Sequence, residues 1–415
     1  MGSHAPDTTI GTGGTPPGRR PFVFAPFRAV RYNADTVGDL GTVISPPYDV
    51  LDAETVRDLE SANRRNIVRL ILSRHTEPPY AAVSERLQDW RAQSYLRADA
   101  IPGLYVYQYT AEQITVRGLI GLLGLRQERE RVVLPHEDVM PGPVADRAAL
   151  MRTTRSNLEP ILLVHEGTAR LRSLVEEASA GNPLAAFAAL DGSEHRLWSI
   201  TAPATLETLA TELAPARALI ADGHHRYAAY LQLQEECGPS GGTPWDFGLA
   251  FLVDQHDYPL RVGPIHRSID ALTMSDVVEL SAQRGDTVCP EADREAALAT
   301  FAENPDDDST RFVLSDGRAW AVLRTRRTDP VDAAVLHGSV LPAWKIAEDQ
   351  IGYHHSLDQA LGTIARQPGI VVAVRPPSIN KVMDSAAQGV RMPRKSTSFG
   401  PKPRMGVVMR DLRDH

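Results

Sequence analysis

The stretch ALIADGHHRYAAYLQLQ, residues 218–234, constrains the fold more than any other part of the chain. A short apolar run stops at a polar knot and gives way to a helical pattern, as a buried strand feeding a helix does. Asp222 occupies the place of a helix N-cap, where its carboxylate can accept from unpaired first-turn amides. Gly223 permits close backbone approach. A strand that ends in a glycine turn at a helix start is a preformed anion site, because first-turn N–H groups lack intrahelical partners and the dipole there is positive. Placing His224, His225 and Arg226 at that end opposes the dipole, and an incoming phosphate would remove the conflict. Arg226 could hold two oxygens in bidentate fashion while a histidine donates to a third. The alternative is a capped, solvated helix start with incidental histidines. A zinc site on His224 and His225 is disfavoured, since adjacent helical residues point about 100° apart.

The rest of the sequence alternates short apolar runs with helical patterns, which predicts a mixed α/β (α+β) fold of several small mixed sheets with helices. FRAVRY, GTVISPPYDVL and NIVRLIL read as extended, and AETVRDLESANRRN and residues 80–95 as helical. GLYVYQYTAE and VRGLIGLLGLRQ read as paired strands, PHEDVMPGPVADRAALMRTTRSN as a loop entering a helix, and PILLVHE as a strand. A second set of elements begins near Gly181. The expected organisation is a disordered segment over 1–20, rich in Gly, Pro and Thr, an α/β domain over 21–180, and a second α/β domain over 181–415. The second domain carries the DGHHR motif and a basic C-terminal loop.

Composition narrows the function classes. The net charge of −8 argues against a chain whose main task is to hold duplex nucleic acid, which needs a concentrated basic face. Cys237 and Cys289 lie far apart without CxxC spacing, so neither a disulfide framework nor a zinc site is expected, and a reducing cytoplasm fits. No run approaches the eighteen or so apolar residues of a membrane helix. The expected partners are small molecules, with the oligomeric state open and a homodimer included.

Two further segments carry chemistry. In SPPYDV, Pro46 and Pro47 stiffen the backbone ahead of Tyr48 and Asp49. Asp49 could orient an acceptor hydroxyl for phosphoryl transfer or ligate magnesium, or it could merely close a local turn. In RMPRKSTSFGPKPRMG, Lys395, Ser396, Thr397 and Lys402 sit among arginines. Cations and hydroxyls in a Gly-Pro turn suit a loop around polyphosphate, because they donate without adding a competing negative charge. The P-loop pattern GxxxxGK[ST] and the protein-kinase signatures are absent from the sequence, so neither of those folds is implied.

Together ADGHHRYAAY, PFRAVRY, ISPPYDVL, NIVRLIL, LPHED, GPIHRSI and RMPRKSTSFGPKPRMGVV resemble, in order, the family catalogued as domain of unknown function 1015, some members of which are ATP-dependent kinases of free serine. The resemblance covers nearly all of 21–412. A more distant one, to the ParB and sulfiredoxin superfamily, implies a phosphate-binding core built on Asp222 to Arg226. The family resemblance implies an enzyme that phosphorylates the hydroxyl of a free amino acid, most simply L-serine, with ATP as substrate and Mg2+. It implies Asp49, Glu137 and His225 as catalytic residues, with Asp49 and Glu137 also as magnesium ligands. It adds His266 and Arg267, from GPIHRSI, to the phosphate-binding set. The chain departs from the family at Arg394, where Gln is usual, and at Ser398 or Gly400, where an aromatic residue is usual. Both departures touch the identity of the acceptor. Two readings from other classes are a ParB-like nucleotide-binding or nucleotide-hydrolysing regulatory module, and an ATP-dependent ligase that activates a carboxylate.

Overall fold

The computed structural model describes residues 20–72, 80–238, 241–303 and 308–414. The segment 1–19, expected to be disordered, lies outside the described residues. A mixed α/β architecture is found, built on a nine-stranded sheet and a six-stranded sheet with three two-stranded ribbons. In the large sheet the order runs Val133–Leu134, Ala218–Asp222, Ile161–His165, Phe247–Asp254, Ile114–Gly124, Leu104–Ala111, Glu194–Ile200, Ala185–Ala188, and Phe24–Ala25 also pairs with Ile114–Gly124. Two pairings are parallel, Ala218–Asp222 with Val133–Leu134 and Phe247–Asp254 with Ile161–His165; the rest are antiparallel.

Both faces of this sheet are covered, which explains why its central strands read as unbroken apolar runs. Along Ile161–His165, Leu162 and Val164 join one core cluster while Ile161 and Leu163 join the other. Leu219 and Ile220 divide in the same way. The six-stranded sheet is antiparallel, in the order Thr287–Glu291, Trp320–Arg326, Ser309–Ser315, Gly369–Ala373, His266–Asp270, Ile351–His354, over its own core.

A boundary at residue 180 is not where the architecture divides. Strand Glu194–Ile200 pairs with Leu104–Ala111 and Phe247–Asp254 with Ile114–Gly124, so the large sheet draws strands from both sides of that point. The small sheet begins only at His266. The last residues then return to the large-sheet body: Met405 exchanges backbone hydrogen bonds with Ser45, and Arg410–Asp411 pairs with Ser156–Asn157.

Two local expectations fail. NIVRLIL forms a short helix, Val68–Ile71, instead of a strand, because buried Asn66 caps it from the side, donating to the Thr42 and Ile44 carbonyls and accepting from Val68 N–H. GTVISPPYDVL forms short 3-10 turns, Leu40–Thr42 and Tyr48–Val50, instead of a continuous extended run. Tertiary hydrogen bonds outweigh local periodicity at the first place, and local turn bonds, Gly41 N–H to Asp39 and Val50 N–H to the Pro47 carbonyl, do so at the second.

Candidate phosphate-binding site

The strand Ala218–Asp222 ends as expected, and the helix His224–Cys237 follows it. The junction differs in one respect. Gly223, in the left-handed region at φ +95°, is the cap, and no side chain caps the helix. A Cβ at Gly223 would lie 2.9 Å from Ile161 Cγ2, so both the dihedral and the space require glycine. Asp222 is therefore not an N-cap. It is the last residue of the strand, and its carboxylate faces two cations instead.

Those cations are Arg226 and Lys402. Lys402 Nζ stands 2.6 Å from Asp222 Oδ1 and 2.9 Å from Asp49 Oδ2, bridging two carboxylates. Asp49 and Lys402 meet across 353 positions because the Met405–Ser45 pairing lays the C-terminal segment along SPPYD. Burial disfavours the charge on Lys402, but Asp222 and Asp49 outweigh it and raise the pKa above the usual lysine range. Burial likewise pushes Asp49 up, and Lys402 more than offsets it, holding the carboxyl at about 2.

These groups line one cavity of about 470 Å³ between the large sheet, the small sheet and the C-terminal loop. Asp49, Glu137, Asp222, Gly223, His224, His225, Arg226, Lys395, Thr397 and Lys402 are all brought to it. His266, Arg267 and Ser396 are not among its walls. His266 is buried with Nδ1 accepting from Val374 N–H, and Arg267 is fully buried with its Nε donating to His337. Ser396 turns its hydroxyl to the Pro393 carbonyl. The strand that carries His266 and Arg267 is paired on both sides in the small sheet, and both side chains are buried there.

Arg226 reaches the cavity wall but is committed elsewhere. Only 2% exposed, it donates Nη1 to the Pro160 carbonyl and Nη2 to Asp222 Oδ2, while its Nε has no protein partner. Its guanidinium neutralises Asp222 and the buried Glu159, whose pKa burial raises despite Arg226 and Arg147. Arg226→Ala is accordingly expected to act on folding, costing about 1–3 kcal/mol by leaving the buried Pro160 carbonyl without its donor and Asp222 and Glu159 with one cation each, Lys402 and Arg147. A urea midpoint unchanged from wild type would show that this network does not hold the strand end.

The paired histidines also serve the scaffold. His224 Nε2 accepts the His136 backbone N–H at 3.3 Å, and His225 Nε2 accepts that of Met140 at 3.1 Å. Accepting at Nε2 places the proton of each neutral ring on Nδ1. Burial lowers both pKa values, His224 most strongly, with His136 adding to the effect on His224 and Lys395 to that on His225. Glu137 departs furthest from the base or metal ligand expected of it. Its Oε2 accepts from Lys395 N at 3.1 Å, and its Oε1 from Ser396 N, Thr397 N and Thr397 Oγ1 at 3.0, 3.0 and 2.9 Å. Burial pushes this carboxyl up, but His136 and the Thr397 hydrogen bond outweigh it and hold it at about 2. Oε1 is thereby saturated with three donors, while Oε2 carries one.

Tyr48, Glu348, Tyr353 and His355 also line the cavity without having been anticipated as site residues. The polar pair His354-His355 beside a short apolar strand was the one local signal for the last of them. Tyr353 donates to Glu348 Oε1 at 2.7 Å, and its ring runs parallel to that of His337 with centroids 6.3 Å apart.

The family described as "Protein of unknown function (DUF1015)" matches residues 24–348, and the chain belongs to that family. No curated protein matches it. Among solved structures, a variant of a free serine kinase in complex with AMP is similar at 16% identity and a TM-score of 0.37, over 67% of this chain and 88% of that one. A conserved hypothetical protein from Pyrococcus furiosus is similar at 15% identity and the same TM-score, over 68% and 93%. SbnI from Staphylococcus aureus, truncated at its C-terminus, is similar at 12% and 0.37, over 68% and 82%. No helix of the described residues is long and apolar enough to cross a membrane.

Proposed function

We propose that the chain is a small-molecule kinase that transfers the terminal phosphoryl group of ATP to the hydroxyl of a free amino acid, L-serine by the sequence resemblance. The observation that carries this reading is the Lys402 ammonium held between Asp49 and Asp222 at an uncapped helix start. A cation and free helix amides supply what polyphosphate needs, and the adjacent carboxylate supplies what an attacking hydroxyl needs. The cavity is of a size that takes a small ligand.

In this reading the phosphates lie on the start of helix His224–Cys237, with Lys402 and the His225 Nδ1–H donating to them. The acceptor oxygen attacks the terminal phosphorus as the bond to the bridging oxygen breaks, and its proton passes to Asp49. A carboxyl held at about 2 is a weak base at neutral pH. Transfer of Lys402 from Asp49 to the arriving phosphate removes the main cause of that depression, and a loose transition state asks little of the base until late. Among the described residues no group of three or more His, Cys, Asp or Glu is arranged to hold a metal ion. Magnesium commonly takes one or two carboxylates together with substrate phosphates, and Asp49 and Asp222 are the oxygen donors that fit such a scheme. The ion would there neutralise charge on the phosphates.

Incubation with ATP, magnesium and the twenty amino acids, followed by phosphorus NMR, tests the reading. A new phosphomonoester is expected with serine. Pyrophosphate or an acyl phosphate would indicate the ligase instead, and nucleotide binding without turnover the regulatory module.

A further inference from the structure

The loop 391–397 is docked onto residues 136–137 by an unusual number of bonds to one segment. Met392 N donates to the His136 carbonyl and Arg391 to that of Glu137, and the Glu137 carboxylate then gathers the three consecutive amides of Lys395, Ser396 and Thr397. Within this grip Lys395 takes φ +58°, a left-handed conformation that L side chains rarely adopt. Strain of that kind persists only where the surroundings impose it, and here the three amides from Lys395 to Thr397 are held by one partly buried carboxylate. The lysine so held lines the cavity beside Asp49 and His225, and among the described residues it has no carboxylate within salt-bridge distance. Lys402, by contrast, is already engaged with two. Lys395 thus brings an uncompensated positive charge to a cavity whose other buried cations are neutralised.

We infer that Lys395 is the residue that contacts the terminal phosphate, and that Glu137 is a positioning residue that acts through it, by fixing the backbone conformation that presents the ammonium. The inference rests on the kinase reading above and assigns Glu137 a part that neither a general base nor a metal ligand would play. It also gives His224 and His225 a place in the same device. By accepting from His136 and Met140 they lock the segment that carries Glu137 to the helix start, so the phosphate-binding helix and the Lys395 loop are held as one unit.

The two assignments differ in a double-mutant cycle. Glu137→Gln keeps the shape but offers an N–H₂ group to one of the amide donors now satisfied, which frees the loop, while Lys395→Ala removes the cation. Affinity is read by calorimetry for a non-hydrolysable ATP analogue and for ADP, with thermal unfolding as the check on folding. Each single variant is expected to lose about 10- to 100-fold in affinity for the triphosphate, the range for a hydrogen bond to a charged group, with little change for ADP. The double variant is expected to match Lys395→Ala, because both changes remove one interaction. Losses that multiply, or a Glu137→Gln variant that keeps full preference for the triphosphate, would overturn the inference. Should Glu137→Gln not fold, Lys395→Arg must keep that preference, and Lys395→Gly, which relieves the backbone, must lose it; any other pattern overturns the inference equally. A wild-type chain that binds neither nucleotide refutes the kinase reading itself, and this inference with it.

Discussion

Asp49→Asn is expected to cut ATP-dependent phosphorylation of serine by about 10²–10⁴-fold, the range for loss of a positioned general base, while leaving nucleotide affinity nearly intact. The side chain is isosteric, and Pro46 and Pro47 fix the backbone ahead of it, so the turn Tyr48–Val50 should survive. Lys402 keeps Asp222 as a partner at 2.6 Å, so its ammonium stays in place for the proposed phosphate contact. What is lost is an oxygen able to take the hydroxyl proton. Initial rates with saturating serine, set beside calorimetric affinity for a non-hydrolysable ATP analogue, separate these terms. Full turnover in Asp49→Asn would remove Asp49 from the reaction. Glu137, whose Oε1 accepts three hydrogen bonds and whose Oε2 accepts one, would then be the next carboxylate to substitute.

The parts of the site that could be read from the sequence are those where one short segment dictates its own geometry. The junction at Gly223 is such a case, since an apolar strand, a glycine and a helical pattern follow each other without a gap. The cavity walls contributed by Glu348, Tyr353 and His355 are the opposite case, because they depend on how the six-stranded sheet meets the large one. The chemistry of individual residues was harder to read than their location. Arg226, Glu137, His224 and His225 do reach the cavity, yet each spends hydrogen bonds on the backbone or on a buried charge. Residue type announces what a side chain can bind, whereas its partners decide what it has left to offer. Arginine and glutamate are rarely buried unless such partners exist, so at these positions the folded network claims them first.

Acidification is expected to unfold the protein well before its site carboxylates titrate. Burial lowers the pKa of His165, His195 and His266 from 6.5 to about 4, with Arg404 adding to the effect at His195 and Arg267 at His266. All three are at most 9% exposed. His195 shows why the neutral ring is required: it lies between Tyr107 OH and Ser193 Oγ, at 2.8 and 2.9 Å, stacked on Phe187, without a carboxylate in contact to support a charge. Because the folded pKa is the lower one, the unfolded chain binds more protons between pH 6.5 and 4. Stability is therefore complete above about 6.5 and falls as the pH drops through that window. Each histidine contributes roughly 2 kcal/mol of loss by pH 5, so three together remove a large share of a stability that is about 5–15 kcal/mol in most domains. Asp49 and Glu137, held at about 2, remain ionised throughout this range. Urea unfolding at pH 7, 6 and 5 should show the midpoint falling steeply, and His195→Gln, which cannot acquire the charge, should reduce the slope only in part, because His224 and His337 are lowered as well. A midpoint that holds steady to pH 5 in the wild-type chain would mean that the buried rings find compensating partners on protonation.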